Sequence, residues 1–374
     1  MTARAAGLRA AGKDVIGLGA GEPDFDTPAH IAAAGIAAIR SGFTRYTSVE
    51  GIPELKDAII AKFERDNGLT YRRAQILVSA GAKHTFFNLM QALLDAGDEV
   101  VIPAPYWVSY PDMALLADGV PVYIAAGPAQ GYKIGPAELE AAITTRTRLF
   151  ILNSPSNPSG AGYTRRELEA LGGVLLGHPQ IVIATDDMYE HIWWGPEPFC
   201  SLVTACPGLY DRTVTINGVS KSYAMTGWRI GYCGGPEHLV EAMATIQGQS
   251  TSNPCSISQK AAVAALGGDQ ACVAEMTKAF KERHDVVVAG LNGLRGVSCL
   301  AGYGTFYAFA NVERAMANLG VADDTAFAER LLTDALVAVV PGSAFGAPGH
   351  MRLSFACSRP MLETALERLL TVLD

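Results

Sequence analysis

The segment 218–231 places a lysine and an arginine among small and polar residues, next to an apolar run that predicts a strand. Lys221 and Arg229 are eight positions apart in this segment. A lysine amine forms an imine with an aldehyde, and a guanidinium binds a phosphate through two parallel hydrogen bonds. The two side chains could therefore hold the two ends of one small molecule, although a lone lysine is more often a surface residue.

Three polar residues near the ends of other apolar runs suit the remaining atoms of such a molecule. Asp186 ends the run 181–185, Tyr189 follows it, and Asn157 lies in a turn rich in proline. If the molecule has a pyridine ring, a buried carboxylate at Asp186 keeps the ring nitrogen protonated, so that the ring withdraws electrons. If the ring also carries a phenolic oxygen, Tyr189 and Asn157 would contact that oxygen. The alternatives are helix capping by Asp186 and Asp187, and a plain turn role for Asn157.

Residues 76–83 predict a strand, a turn of small residues and the start of a helix. Backbone N–H groups at a helix start bind anions, so Gly81, Ala82 and Lys83 are candidates to hold the phosphate. Trp107 follows the next predicted strand and is the candidate to stack on the ring. Core packing is the commoner use of a tryptophan.

Two further segments point to a substrate. Arg352 lies in a predicted strand near the C-terminus, and a bidentate arginine suits the α-carboxylate of an amino acid. The alternative is a solvated arginine at a strand edge. The glycines of residues 17–22 do not match the dinucleotide-binding pattern, because Pro23 follows where a helix should begin. We interpret them instead as positions where the backbone approaches a ligand.

The composition argues against several kinds of partner. A net charge of −8 does not favour nucleic acid, and no run of about twenty apolar residues predicts a membrane span. The seven cysteines lack C-x-x-C spacing, so we expect no disulfide framework and a cytoplasmic location. The nearby acids and histidines match no standard spacing of metal ligands, and we predict no metal site.

Apolar runs that predict strands alternate with helical patterns, such as those over 84–94, 165–176 and 239–245, through most of the chain. The predicted strands of this part are 75–79, 99–103, 121–124, 149–153, 181–185, 213–217 and 230–234. The alternation indicates an α/β fold, with a mostly parallel central sheet sandwiched by helices. After about residue 259 the pattern changes to that of a smaller α+β domain, with strands predicted over 304–310, 337–340 and 351–355 and helices over 325–334 and 360–373. We predict a large cofactor-binding domain over 26–280 and a small domain over 1–25 and 281–374.

Taken together, the chain resembles the fold-type-I enzymes that depend on pyridoxal 5′-phosphate (PLP). Within them it is similar to the class I aminotransferases of the bacterial aspartate aminotransferase-like subgroup, over nearly its full length. The resemblance rests on the segments 19–25 (GAGEPDF), 45–47 (RYT), 105–107 (PYW), 153–155 (NSP), 157–158 (NP), 186–191 (DDMYEH), 218–231 (GVSKSYAMTGWRIG) and 352–354 (RLS).

The resemblance implies a large PLP-binding domain and a ping-pong transfer of an amino group between an amino acid and a 2-oxo acid. Lys221 would hold PLP as a Schiff base. Once the substrate amine has displaced it, the freed lysine would move the proton of the substrate Cα. Gly21, Trp107, Asn157 and Arg352 would contact the substrate.

Two more residues acquire roles from the resemblance. Tyr46 would reach the PLP phosphate of a neighbouring subunit, which implies a homodimer with shared active sites. Lys83 falls where a subgroup has a lysine proposed to meet the distal carboxylate of a dicarboxylate, which favours aspartate and glutamate. Aromatic or prephenate-type transamination and β-elimination on the same fold stay open. A PLP-binding protein without catalysis is a further alternative.

The sequence departs from the family pattern in two places. Gly218 stands where relatives often have a serine that donates to the phosphate, so Arg229, Tyr46 and the helix start are expected to hold the phosphate without it. Relatives also carry more chain ahead of the segment that matches residues 3–9. That extension helps to close the site over the substrate, and we expect closure to be weaker without it.

Replacing Lys221 with alanine tests the central assignment. We expect Lys221→Ala to lose covalent attachment of PLP, because the assignment gives the amine of the imine to Lys221. The measurement is borohydride reduction of the PLP-loaded protein, followed by mass spectrometry of its peptides. A reduced PLP adduct in the variant would show that the assignment is wrong.

Overall fold

The computed structural model describes residues 2–373; residues 1 and 374, which the predicted small domain includes, lie outside the described residues. The strands are β1 (Ile16–Gly17), β2 (Ile76–Ser79), β3 (Glu99–Ala104), β4 (Val120–Ala125), β5 (Thr147–Asn153), β6 (Val182–Asp186), β7 (Thr213–Gly218), β8 (Gly231–Gly234), β9 (Ser298–Cys299), β10 (Tyr307–Asn311), β11 (Val337–Ala338), β12 (Val340–Pro341) and β13 (His350–Ser354). Seven of them form one sheet in the order β2-β8-β7-β6-β5-β3-β4. Within it β8 runs antiparallel to its neighbours β2 and β7, and the other pairings are parallel.

The helices are α1 (Thr2–Ala10), α2 (Ala29–Arg40), α3 (Pro53–Lys62), α4 (Ala82–Leu93), α5 (Ser109–Leu116), α6 (Pro136–Ala142), α7 (Arg165–Leu176), α8 (Leu202–Ala205), α9 (Glu237–Ser250), α10 (Ser256–Gly267), α11 (Ala271–Asn292), α12 (Glu313–Leu319), α13 (Asp324–Arg330) and α14 (Arg359–Leu373). None of the helices in residues 2–373 is both long and apolar enough to cross a membrane.

Both faces of the large sheet are covered, and this explains why its strands read as continuous apolar runs. Successive side chains of β2 point to opposite faces: Ile76 and Val78 join one core, and Leu77 joins another. Helices α4, α5 and α9 pack on the face of Leu77, while α3, α7 and α10 lie on the opposite face. The predicted α/β fold with a mostly parallel, helix-covered sheet is therefore confirmed.

A second, antiparallel sheet has the order β12-β13-β10-β9, and β1 pairs in parallel with β11. Residues of α11, α13 and α14 pack against β10 and β13 in one core. This region has the α+β character that the sequence predicts. The division into 26–280 and 1–25 with 281–374 stays a prediction, and its second boundary lies inside α11.

Some predicted boundaries in this region were wrong. The strand predicted over 304–310 begins only at Tyr307, because Thr305 has a positive φ of 69° and Gly304 instead bridges to Trp193. The helix predicted over 325–334 is observed within one residue at each end, but its second half is a π-helix (Leu331–Ala335), and Leu336 after it has a positive φ. Local backbone geometry of this kind leaves no mark on apolar periodicity.

A buried ion pair lies beneath the carboxyl ends of the central strands. Lys62 and Glu190 pair with side chains that are 0% and 2% exposed. Asn67 accepts from Lys62 and donates to Glu190, and Asn217 at the end of β7 also donates to Glu190, each at 2.7 Å. Burial acts to raise the pKa of Glu190, but the Lys62 ammonium holds it below its ordinary value. Glu190 therefore stays ionised beside Lys62, and the pair joins α3 to the chain that follows β6.

Removing one partner of this pair leaves a buried charge alone. We expect Lys62→Met to lower the free energy of unfolding by about 3–5 kcal/mol, and a further Glu190→Gln change to recover much of the loss. Urea unfolding of the three proteins measures this. Lys56→Met is the matched control and should cost less, since its partner Glu50 has a side chain that is 49% exposed. Equal losses in the two single variants would contradict the expectation.

Candidate active site

A cavity of about 460 Å³ opens at the carboxyl ends of the large sheet, where ligands gather in folds of this kind. Ten of the twelve predicted site residues line it: Gly21, Ala82, Lys83, Trp107, Asn157, Asp186, Tyr189, Lys221, Arg229 and Arg352. The other two are Gly81, which adjoins the wall, and Tyr46, whose side chain is 91% exposed away from the cavity. The roles assigned to these residues stay predictions.

Lys221 follows β7 and reaches into the cavity, where its Nζ donates to the Gly21 carbonyl at 2.5 Å. Burial lowers the pKa of its ammonium to about 8, and the positive charges of Arg229 and Arg352 act in the same direction. Glu22 and Asp186 oppose the shift. A neutral amine, able to take a proton or attack a carbonyl carbon, is therefore accessible at mildly alkaline pH.

Asp186 ends β6 in the wall of the same cavity. Its carboxylate accepts from the Tyr110 hydroxyl and, at 3.3 Å, from the backbone N–H of Met188. Burial raises its pKa to about 6, so a cation placed beside it would be strongly favoured. Asn153 at the end of β5 donates to the Asp186 carbonyl at 2.9 Å and accepts from the Asn157 backbone at 2.8 Å. It thereby fixes two predicted site residues at once.

A cradle for an anion lies where α4 begins. Gly81 precedes the helix with a φ of 90°, and a Cβ there would lie 2.3 Å from Nη2 of Arg229. The guanidinium thus rests against bare backbone beside the amides of Ala82 and Lys83, which have no partner inside the helix. Arg229 itself adopts a φ of 56°, an uncommon conformation that aims its side chain at this point.

Gly218 leaves little room for a side chain such as that of serine. A Cβ there would lie 3.0 Å from both the Ile230 carbonyl oxygen and the Met188 methyl group. The close packing of β7 against the neighbouring chain therefore accounts for the glycine, and a phosphate must be held by the other groups.

Arg352 on β13 is positioned by four neighbours. It donates to Asn157 Oδ1 and to the Gly19 carbonyl, both at 2.9 Å. The rings of Tyr307 and Phe345 lie 4.3 and 4.8 Å from its guanidinium carbon. Its Nε is buried without a hydrogen-bond partner among the described residues, so this donor is free for a ligand.

The N-terminal strap, residues 17–22, passes along the cavity. Leu18 is tied to β11 and β13 through backbone bonds with Ala338 and Ser354, at 2.8 and 2.7 Å. Farther along, Thr226 donates to Glu22 at 3.0 Å. Lys221 and Arg352 both donate to carbonyls of the strap. A Cβ at Gly21 would lie 3.0 Å from the Tyr307 hydroxyl, and one at Gly19 would lie 3.3 Å from a methyl group of Val340, so the glycines let the strap pack closely against this wall.

Nine residues of the wall were not among the predicted site residues: Glu22, Val108, Asn153, Met188, Ser220, Thr226, Tyr307, Val340 and Phe345. Ser220 and Glu22 adjoin predicted residues, so proximity in the sequence was a usable signal. Tyr307 and Phe345 lie in apolar stretches that read as ordinary core, and their place in the wall depends on strand register.

Comparisons with known proteins identify the family of the chain. The family profile "Aminotransferase class I and II" matches residues 13–369. The chain belongs to this family. It is 56% identical to the aspartate/prephenate aminotransferase of Nitrosomonas europaea, over 100% of this chain and 96% of that protein. It is therefore a PLP-dependent aminotransferase, which uses amino acids and 2-oxo acids.

Solved structures of the family superimpose closely on the enzyme. The aspartate aminotransferase of Rhizobium meliloti matches with a TM-score of 0.95 and 50% identity, over 100% of this chain and 94% of that one. The aspartate aminotransferase of Thermus thermophilus with maleate matches with a TM-score of 0.93 and 42% identity, over 100% and 95%. The predicted family, fold, cofactor and type of enzyme are thus confirmed.

The residues of the cavity fit PLP. The cradle formed by Gly81 and Arg229 suits the phosphate, and Lys221 suits the aldehyde. Asp186 has a carboxylate that a protonated ring nitrogen would stabilise. The donor set therefore matches the three charged or reactive parts of the cofactor.

The lowered pKa of Lys221 makes the stability of the cofactor-free enzyme depend on pH. Between about 8 and the ordinary value of 10.5 the unfolded chain binds more protons than the folded chain, so this residue's contribution to stability rises with pH. Lys221→Met removes the effect. We expect the melting temperature of the variant to exceed that of the wild type at pH 7, by a margin that shrinks towards pH 10.

Thermal melts in matched buffers measure this margin. Lys13→Met is the control, because Lys13 is exposed and its replacement should give a difference that does not vary with pH. A constant margin for Lys221→Met would contradict the lowered pKa.

Proposed function

We propose that the enzyme transfers the amino group of aspartate or glutamate to a 2-oxo acid. The supporting observation is that the cavity contains Lys83 as well as Arg352. The Nζ of Lys83 lies 5.1 Å from the centre of the Trp107 ring. Arg352 suits the α-carboxylate, which leaves Lys83 for a distal carboxylate. The names of the relatives agree, and maleate, present in the Thermus structure, is itself a dicarboxylate.

Each side chain then has one task. Bound PLP supplies an aldehyde for the substrate amine and a ring that withdraws electrons. Lys221 takes the proton from the substrate Cα and returns it, which requires its neutral form and so a pKa near 8 rather than 10.5. Arg352 and Asn157 orient the α-carboxylate, and Trp107 covers the ring.

Asp186 and Tyr189 act on the cofactor. Asp186 holds the proton of the ring nitrogen, and its buried position makes that ion pair strong. Tyr189 is buried beside the cavity, with its hydroxyl able to donate to the ring oxygen. Gly81, Ala82, Lys83 and Arg229 bind the phosphate.

We further propose that the enzyme works as a homodimer with shared active sites. Tyr46 is 91% exposed, and Ile36 and Ile39 of α2 are 48% and 55% exposed. Exposed apolar residues of this kind favour contact with a second copy of the chain. Tyr46 would then reach the phosphate in the partner's site. The seven cysteines are all free, which favours a reducing compartment, and we propose the cytoplasm.

Replacing Lys83 tests the substrate. We expect Lys83→Met to lower kcat/KM for aspartate and glutamate by about 10- to 100-fold, because one charge-assisted hydrogen bond is lost. The kcat/KM for phenylalanine should change little. Arg352→Lys is the matched control and should lower kcat/KM for all of these amino acids. Product is measured as 2-oxo acid formed per amino acid consumed, with 2-oxoglutarate, oxaloacetate or prephenate as acceptor.

Other outcomes identify the alternatives. A wild-type preference for phenylalanine over aspartate, or an equal effect of Lys83→Met on both, would overturn the aspartate proposal. Ammonia released without an acceptor would instead indicate β-elimination.

A further inference from the structure

Two tyrosine hydroxyls meet in the wall of the cavity. The hydroxyl oxygens of Tyr189 and Tyr307 are 3.1 Å apart, and the two side chains are 4% and 1% exposed. Burial raises the pKa of both phenols, so each keeps its proton through neutral pH. One hydroxyl of the pair must donate and the other must accept.

The ring of Tyr307 has a second contact, on its face. In the pairing of β10 with β13, Tyr307 lies opposite Ser354 and Phe309 opposite Arg352, so Tyr307 and Arg352 are diagonal neighbours on one face of the sheet. The guanidinium carbon of Arg352 lies 4.3 Å from the ring centre of Tyr307, with Phe345 on another side at 4.8 Å. This is cation–π geometry in a buried place.

Proton counting decides the direction of the hydroxyl bond in the loaded enzyme. Each phenol has one proton. If Tyr189 donates to the ring oxygen of PLP, as the proposed function has it, its own oxygen can only accept from Tyr307. The chain of donors then runs from Tyr307 to Tyr189 to the cofactor, and the first bond strengthens the second by polarising it.

We propose that Tyr307 is a positioning residue with two separable actions. Its hydroxyl strengthens Tyr189 as a donor to the cofactor oxygen, and its ring holds Arg352 in place for the α-carboxylate. This inference rests on the proposed function for the placement of Tyr189 and Arg352, and it adds the residue that joins the cofactor side of the cavity to the substrate side.

The hydroxyl action has a spectroscopic consequence. A hydrogen bond to the ring oxygen lowers the electron density available to the adjacent nitrogen that joins Lys221 to the cofactor, and so lowers the proton affinity of that nitrogen. The pH midpoint of the cofactor's visible absorption band reports this affinity. A weaker donor therefore raises the midpoint.

The first experiment titrates the visible band of the PLP-loaded enzyme. We expect Tyr307→Phe to raise the midpoint by about 0.5 pH unit. Tyr189→Phe should raise it further, because the Tyr307 hydroxyl acts on the cofactor only through Tyr189. In the Tyr189→Phe background the Tyr307→Phe change should have no effect. Tyr71→Phe is the matched control, because it removes a buried hydroxyl that bonds Thr215 in another core, and it should leave the midpoint unchanged.

The outcomes separate this inference from the function on which it rests. A Tyr189→Phe midpoint equal to that of the wild type would overturn the proposed placement of Tyr189. A shift by Tyr189→Phe with none by Tyr307→Phe, or the same Tyr307→Phe shift in both backgrounds, would overturn the role of the Tyr307 hydroxyl alone.

The second experiment tests the ring action through steady-state kinetics. Tyr307→Phe keeps the ring and should change KM for aspartate less than twofold, whereas Tyr307→Leu should raise KM about tenfold by removing a buried cation–π contact. Phe345→Leu removes the other ring, and it should raise KM without moving the midpoint of the band, whether or not Tyr307→Leu folds. An unchanged KM in Phe345→Leu and in any folded Tyr307→Leu would overturn the ring action.

Discussion

The site depends on keeping one amine out of water beside other cations. Lys221 is largely buried, and both burial and the two nearby arginines favour its neutral form. The same burial makes the carboxylate of Asp186 receptive to a positive partner. Desolvation therefore lowers the pKa of Lys221 and raises that of Asp186, and each side chain suits a different part of one cofactor.

The two sheets divide the work of placing the charges. The carboxyl ends of β5, β6 and β7 present Asn153, Asp186 and Lys221 at one edge of a rigid, doubly covered sheet. The antiparallel sheet supplies Arg352 and Tyr307 from paired strands. The strap crosses between them, and its carbonyls accept from Lys221 and Arg352. The same short backbone segment therefore contacts both cations.

Much of the fold could be predicted because apolar periodicity is local. The strands of the large sheet were placed within a residue or two, and α7 was predicted with its observed bounds. The π-helix at the end of α13 and the late start of β10 were missed, since they depend on single residues with positive φ. That β8 runs antiparallel was not predictable either, because strand direction is a property of pairing.

The sequence by itself determined the chemistry: a lysine and an arginine at fixed spacing, acids and amides after strands, and an arginine near the C-terminus. Residue types and their spacing along the chain suffice for this, because the reactivity of each side-chain type does not depend on the fold. Only the tertiary structure decided that Tyr307 lies against Tyr189, 118 positions away, and that Arg352 bonds Asn157, 195 positions away. Such contacts follow from strand register and the packing of two sheets, which bring together residues that share no local pattern.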